Sequence, residues 1–121
     1  MSKSFATITG DVSKGMSVLR KSIPETMKGF SAMAQSALAA GALTPLEKEL
    51  IALGIGVAAH CDACIGFHVK ALVKLGVTQE QLMETLGVAV YMGGGPSLMY
   101  AAEAVHAYEE FSAGPAGATG V

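Results

Sequence analysis

Apolar residues recur every three to four positions along most of this chain, which is the spacing of one face of a helix. The pattern is helical from about residue 11 to about residue 111, and no segment convincingly shows the alternation of a strand. It predicts an all-α protein of about six helices. Their approximate ranges are 11–21, 24–41, 45–60, 61–75, 78–91 and 96–111.

The clearest start signals lie in the middle of the chain. Thr44 and Glu47 predict a capping box, in which each side chain bonds the backbone N–H of the other residue. Thr78 and Gln81 predict a second box of the same kind. Gly76 is expected to end the helix before it, because glycine adopts the left-handed conformation common just beyond a helix.

Three of the predicted helices have apolar faces that we expect to point inward. The first carries Val12, Met16 and Leu19 on one side. In the third, Gly54 and Gly56 each weaken the helix by about 1 kcal/mol relative to alanine, which predicts that a neighbour packs closely there. The stripe of the second helix is Met27, Phe30, Met33, Ala34, Ala37 and Leu38, and that of the third is Leu46, Leu50, Leu53 and Val57.

The composition is apolar for a chain of 121 residues, with 51% hydrophobic and only 15% charged residues. Because so few charges are available to cover the surface, we expect apolar helix faces to be buried between the subunits of a homo-oligomer. One helical domain is predicted for residues 1–111. The last ten residues, 112–121, are rich in Gly, Ala and Pro, and we expect them to be disordered.

Charge and hydropathy exclude several kinds of partner. The net charge is −2 without a basic run, which argues against nucleic acid. The uncharged stretch between Glu84 and Glu103 contains Gly93-Gly94-Gly95-Pro96, which predicts a break between helices and no membrane span. The first residues lack the apolar core of a signal peptide. We therefore expect a cytoplasmic protein without a membrane partner.

The only two cysteines stand in the run Cys61-Asp62-Ala63-Cys64, and a histidine follows at His68. On a helix these three side chains share one face. A cysteine at a helix start is favoured as thiolate by the free N–H groups there, and a histidine one turn away can exchange its proton. The spacing therefore predicts a redox-active thiol pair in a reducing compartment.

Glu49 is the predicted partner of His68. With a turn at residue 60, Glu49 lies about 16 Å down one helix and His68 about 12 Å down the next, at ~1.5 Å per residue. That offset of one turn can be spanned by the two side chains or by one water. A carboxylate there would orient the imidazole and raise its basicity. Taken alone, Glu49 would be a solvated charge on a helix surface.

Other interpretations of these residues fit less well. Two reduced cysteines can pack as small apolar groups. Zinc would need His60 and His68 beside both thiols, but a helix would aim His60 away, and His60 better suits a helix end. Covalent haem needs histidine where Ile65 stands, and a thioredoxin fold needs flanking strands. His106 is expected at the surface among acidic residues. We expect no cofactor and no metal.

The segments EKELIAL, from Glu47 to Leu53, and CDACIGFH, from Cys61 to His68, resemble the AhpD-like, or carboxymuconolactone decarboxylase, family. The likeness covers about residues 25–110. Its most specific part is a glutamate twelve residues before a C-x-x-C-x-x-x-H run.

This resemblance implies an all-α fold whose subunits pack into trimers or hexamers. In the cysteine-bearing branch it also implies an alkylhydroperoxidase-like peroxidase or a disulfide reductase. The proton relay of that branch maps onto Glu49, Cys61, Cys64 and His68. The branch has a further histidine directly before the second cysteine, where this chain has Ala63.

A lactone decarboxylase branch of the same family generally lacks the cysteine pair, so the pair favours redox chemistry. We expect a peroxide or small disulfide as substrate, and a thiol reductant or redox protein as partner. A lyase of the decarboxylase type and a non-catalytic structural oligomer are the alternatives. The attacking thiol is open, since the helix start favours Cys61 and proximity to His68 favours Cys64.

Overall fold

The computed structural model describes residues 3–114, which form six helices and no strand. The prediction of an all-α fold with about six helices is confirmed. The helices are α1 (Phe5–Ser22), α2 (Pro24–Leu38), α3 (Pro45–Ala58), α4 (Asp62–Lys74), α5 (Gln79–Gly93) and α6 (Gly95–Ser112).

Helix α4 lies at the centre of the bundle, packed against α1, α3 and α6, while α5 packs against α3 and α6. Leu53 and Val57 of α3 are fully buried, and Leu46 and Leu50 pack against the core, as their stripe predicts. The largest fully buried side chains of the core are Phe5, Leu53, Ile65, Leu72, Leu82, Val57 and Val69.

Local sequence signals set the ends of the central helices. The Thr44 hydroxyl accepts from the Glu47 N–H at 3.1 Å, and the Glu47 carboxylate accepts from the Thr44 N–H at 2.8 Å. Thr78 and Gln81 form the same reciprocal pair. Gly76 has a φ of 81°, the left-handed conformation expected beyond the end of α4. Both predicted capping boxes are therefore confirmed.

The start of α1 was predicted wrongly. The helix begins at Phe5 rather than near Asp11, because the Ser4 hydroxyl caps it and a carboxylate distant in sequence bonds its first N–H groups. Glu110 of α6 accepts from the backbone N–H of Phe5 at 2.7 Å and from that of Ala6 at 3.1 Å. These bonds satisfy N–H groups that a helix start leaves open. The buried side of α1 carries Phe5 and Thr9 and continues into Val12 and Met16 of the predicted face, which are half-buried, whereas Leu19 at the far end of that face is exposed.

The inward stripe predicted for α2 is only partly covered in the single chain. No α2 residue is buried, and Phe30 and Met33 are each more than 60% exposed. The helix ends at Leu38, short of the predicted end at residue 41, and packs only against α1 and α3 among the described elements. Met27, Ala34 and Leu38 are half-buried, whereas Phe30, Met33 and Ala37 are left exposed within residues 3–114.

The final helix follows the predicted glycine break. Gly94 has a φ of 77° and separates α5 from α6, so the chain turns there. Helix α6 runs to Ser112, one residue beyond the predicted end of the domain. The rest of the predicted tail, residues 115–121, lies outside the described residues. Across residues 3–114, no helix is long and apolar enough to cross a membrane.

Helices α1 and α4 approach closely at Gly66. A Cβ added there would lie 2.7 Å from Cγ2 of Thr9 and 3.4 Å from Cδ1 of Phe5. Thr9 cannot simply rotate away, because its hydroxyl donates to the Phe5 carbonyl at 2.9 Å. The contact between the two helices therefore depends on the absence of a side chain at position 66.

We expect Gly66→Ala to lower the free energy of unfolding by about 1–3 kcal/mol, the usual cost of forcing extra volume into a packed contact. Chemical denaturation monitored by circular dichroism measures it. The matched control is Gly15→Ala on α1, where an added Cβ meets nothing within 4 Å. That control should be neutral or slightly stabilising, because alanine favours a helix over glycine. Equal stability of the two variants would contradict the close packing.

Candidate functional site

A left-handed turn at His60 joins α3 to α4. His60 has a φ of 57°, a conformation that costs a non-glycine residue roughly 1–2 kcal/mol. Its N–H donates to the Val57 carbonyl at 3.1 Å, and the Cys61 N–H donates to the Gly56 carbonyl at 3.0 Å. This hydrogen-bond pattern is the Schellman motif that ends a helix. His60 lies at the helix end, as predicted, and the turn delivers Cys61 to the start of α4.

Cys61 and Cys64 are joined by a disulfide across the first turn of α4, with their Cα atoms 5.2 Å apart. Cys61 is the N-cap residue, and its sulfur accepts the backbone N–H of Cys64 at 3.2 Å. Both residues are half-buried, so the pair is neither sealed in the core nor fully exposed. The Cys61 sulfur thus occupies the place where a helix start stabilises negative charge.

Gly56 lets α4 approach α3 beside this pair. A Cβ at position 56 would lie 3.2 Å from the Cβ of Cys64. The close packing predicted from the glycines of α3 is confirmed at this position. At Gly54 the nearest atom to an added Cβ is 3.9 Å away, an ordinary contact.

Glu49 and His68 meet directly across the α3–α4 interface. Nδ1 of His68 lies 2.6 Å from Oε2 of Glu49, so no bridging water is needed. The Glu49 side chain is 11% exposed and that of His68 is 28% exposed. An ionised carboxylate only accepts hydrogen bonds, so Nδ1 carries the proton of this bond. In a neutral ring Nε2 is then the atom that can take up a proton.

A second group of charges lies around Asp62, which follows Cys61 directly in the C-x-x-C run. Lys3 extends its ammonium to Oδ2 of Asp62 at 2.9 Å and to Oε1 of Glu103 on α6 at 2.6 Å. The bond to Glu103, followed by the bond to Asp62, raises the pKa of Lys3 above its ordinary value. No sequence pattern indicates this group, because Lys3 is far along the chain from both of its partners.

Two histidines outside the thiol stripe have structural contacts. The His60 ring stacks on Tyr100, with centroids 4.7 Å apart. His106 is half-buried, contrary to the surface position predicted for it, because its Nε2 donates to the Lys3 carbonyl at 3.0 Å. Tyr100 also lies under the Lys3 ammonium, 5.7 Å from its ring centroid. The stacking joins the α3–α4 turn to α6, and the two Lys3 contacts join the segment before α1 to the same helix.

The four residues considered for zinc are not gathered around one point. The two sulfurs bond each other, His68 bonds Glu49, and His60 stacks on an aromatic ring. No group of three or more His, Cys, Asp or Glu residues in the described part of the chain could hold a metal ion.

Comparison with known proteins identifies the family of this chain. The model of the carboxymuconolactone decarboxylase family matches residues 24–107, which is more than half of the sequence. The chain belongs to the carboxymuconolactone decarboxylase family. The resemblance inferred from the sequence is thereby confirmed, and so is its all-α fold.

Among solved structures, this family member is similar to the apo form of a carboxymuconolactone decarboxylase family protein from Legionella pneumophila. The two chains are 58% identical and superpose with a TM-score of 0.88, over 89% of this chain and 96% of that one. An uncharacterised protein of Cupriavidus necator is 32% identical over 93% of this chain and 100% of its own length. An uncharacterised protein in the cox locus of Paracoccus denitrificans is 36% identical over 67% of this chain and 73% of its own.

The family match divides the site into two parts. Glu49, Cys61, Cys64 and His68 all lie inside the matched region. Lys3 lies outside it, on the segment that leads into α1. The thiol pair and its nearest acid and base thus lie within the residues that the family model matches, whereas the cation beside Asp62 comes from the segment before them.

Proposed function

We propose that this protein is a thiol-dependent oxidoreductase that reduces a peroxide or a small disulfide with its Cys61/Cys64 pair. The observation that carries the proposal is the disulfide at the N-terminus of α4. A pair that closes there can also store two electrons as dithiol, because the helix start favours the thiolate of the reduced form. Two inert core cysteines would not need this position.

In this cycle the Cys61 thiolate is the nucleophile. With a hydroperoxide, its sulfur attacks the distal oxygen, the O–O bond breaks, and the departing alkoxide takes a proton to become an alcohol. The sulfenic acid left on Cys61 is then attacked by the Cys64 thiolate. The S–S bond forms and the leaving hydroxide becomes water with one proton. With a disulfide substrate, the same attack passes through a mixed disulfide.

His68 supplies and accepts the protons of these steps. Oε2 of Glu49 lies 2.6 Å from Nδ1 of His68 and holds the ring proton on that nitrogen. Nε2 is therefore available to take the thiol proton and to return it to a leaving group. A carboxylate behind the imidazole also stabilises the charged ring, as in other acid–base pairs. Ala63 contributes no titratable group between the cysteines, so the proposed relay consists of His68 and Glu49 alone.

A thiol reductant or a reduced redox protein completes the cycle by exchange with the Cys61–Cys64 disulfide. It donates two electrons and two protons, and it leaves as a disulfide itself. We place this reaction in the cytoplasm, where partner thiols are kept reduced and where disulfides of cytosolic proteins are mostly transient and catalytic.

We also propose that the working form is a homo-oligomer, a trimer or a hexamer. Phe30 and Met33 of α2 are exposed, and an apolar groove runs between α3 and α5. Contiguous apolar surface of this kind is typical of subunit contacts. The side chains that line the groove include Ile51, Ile55, Val88 and Met92.

The test is a single-turnover reaction of the fully reduced protein under argon. We expect each chain to consume one equivalent of cumene hydroperoxide or of a small aromatic disulfide. Intact mass should fall by two hydrogens as the pair closes. Absorbance near 240 nm, recorded against pH, should show a thiolate that forms below the free-cysteine value of about 8.5. Reduced protein that leaves every oxidant unconsumed, with both thiols still open to alkylation, would refute the function.

A further inference from the structure

The segment before α1 is anchored by contacts to two helices, one of them to Asp62, the residue that follows Cys61. The Lys3 ammonium bonds Asp62 on α4 and Glu103 on α6. The Lys3 carbonyl accepts from His106 of α6, and the Ser4 hydroxyl donates to Glu110 of the same helix at 2.8 Å. Lys3 is therefore held in one place by both its side chain and its backbone.

The two carboxylates beside Lys3 oppose a negative charge on Cys61. Asp62 follows Cys61 directly, and Glu103 shares the same ammonium. One oxygen of each carboxylate, Oδ1 of Asp62 and Oε2 of Glu103, is buried without a hydrogen-bond partner among the described residues. Like charges near a thiolate disfavour it, and a cation between them offsets that effect.

We propose that Lys3 is a positioning residue that neutralises Asp62 and Glu103 and so favours the thiolate of Cys61. Its importance for turnover rests on the function proposed above, but its effect on the thiol does not. Lys3 lies on the N-terminal segment, before the residues that the family model matches.

The other charged or titratable groups around the thiol pair come from three parts of the chain. Glu49 lies on α3, where it bonds His68 of α4. His60 lies in the connecting turn and stacks on Tyr100 of α6. None of these contacts involves Asp62, so the Lys3 cation is the group that bonds this carboxylate.

The experiment titrates a single thiol. In a Cys64→Ser background only Cys61 remains, and its thiolate is followed by absorbance near 240 nm and by the rate of alkylation with iodoacetamide, a neutral probe. Lys3→Gln should reduce the thiolate fraction near its midpoint by about threefold, the effect of one unit charge several ångströms away in water. Lys3→Arg should preserve it, because the charge is kept.

Asp62→Asn should shift the thiolate fraction in the opposite direction. It therefore separates an electrostatic effect from a loosening of the segment before α1. Removing that carboxylate should increase the thiolate fraction, and combining Asp62→Asn with Lys3→Gln should reverse part of the loss. The loss of thiolate fraction in Lys3→Gln should be smaller at 1 M salt, where exposed charges are screened. The control is Lys14→Gln on the exposed part of α1, with no expected change.

Two results would overturn the inference. One is an unchanged thiolate fraction in Lys3→Gln, and the other is a shift of the same sign in Lys3→Gln and Asp62→Asn. Neither result bears on whether wild-type protein consumes hydroperoxide or disulfide. Conversely, wild-type protein without turnover would refute the proposed function and leave the titration of Cys61 fully interpretable.

Discussion

Replacing either cysteine of the pair with serine is expected to abolish catalytic reduction, lowering turnover by a factor of about 1,000 or more. A hydroxyl at position 61 or 64 cannot form the disulfide that ends each cycle. Both variants should fold, because serine is nearly isosteric and both positions are half-buried. The measurement is steady-state consumption of cumene hydroperoxide with a reduced redox protein as reductant, because a small dithiol would reduce a sulfenic acid directly.

The two serine variants should differ in what they trap. Cys64→Ser retains the proposed nucleophile, so one addition of hydroperoxide should leave a sulfenic acid on Cys61, which dimedone labels. Cys61→Ser should label far more slowly. The reverse pattern would make Cys64 the nucleophile. Ala63→Ser is the matched control, because it adds a hydroxyl between the cysteines and removes no sulfur; its turnover should stay near that of wild type.

Loss of the imidazole is expected to have the next largest effect. His68→Gln should slow disulfide formation by about 100-fold, the lower end of what a positioned acid–base group contributes. The amide can still donate to Glu49, so the α3–α4 contact is preserved while proton exchange is lost. Glu49→Gln should cost about tenfold, since it only orients and supports the ring.

Stopped-flow measurement of disulfide closure across pH checks this second prediction. The rate of His68→Gln should recover with rising pH, because hydroxide forms the thiolate without a base. Glu84→Gln, on the exposed part of α5, is a control that should retain the wild-type rate. Wild-type rates in both His68→Gln and Glu49→Gln would remove the relay from the mechanism and leave the thiol pair in place.

The parts of the fold that could be predicted from sequence are those with local causes. Thr44 and Thr78 cap helices through residues three positions away, so the chain itself carries the signal. The contact between Glu49 and His68 could be predicted from the sequence for a similar reason. A short turn at His60 joins two regular helices, and counting residues along them gives the offset.

The parts that could not be predicted depend on contacts between distant positions. Ser4 caps α1 locally through the Thr7 N–H, but the second capping group, the Glu110 carboxylate, is 105 positions from Phe5 and leaves no local signal. Lys3 likewise resembles any isolated surface lysine until the fold brings it to Asp62. The stripe of α2 is only partly buried for a different reason, since an apolar face does not say which molecule covers it.

Helix α2 has a consequence for how the chain opens. It contributes no residue to the core, so its unfolding exposes little that α1 and α3–α6 have buried. A helix of 15 residues is marginal without tertiary support. In a lone chain α2 thus unfolds as a separate cooperative unit, and the free energy of this local unfolding is low. Association that covers Phe30 and Met33 raises that free energy by mass action, so the amide exchange of α2 reports assembly independently of the thiol chemistry.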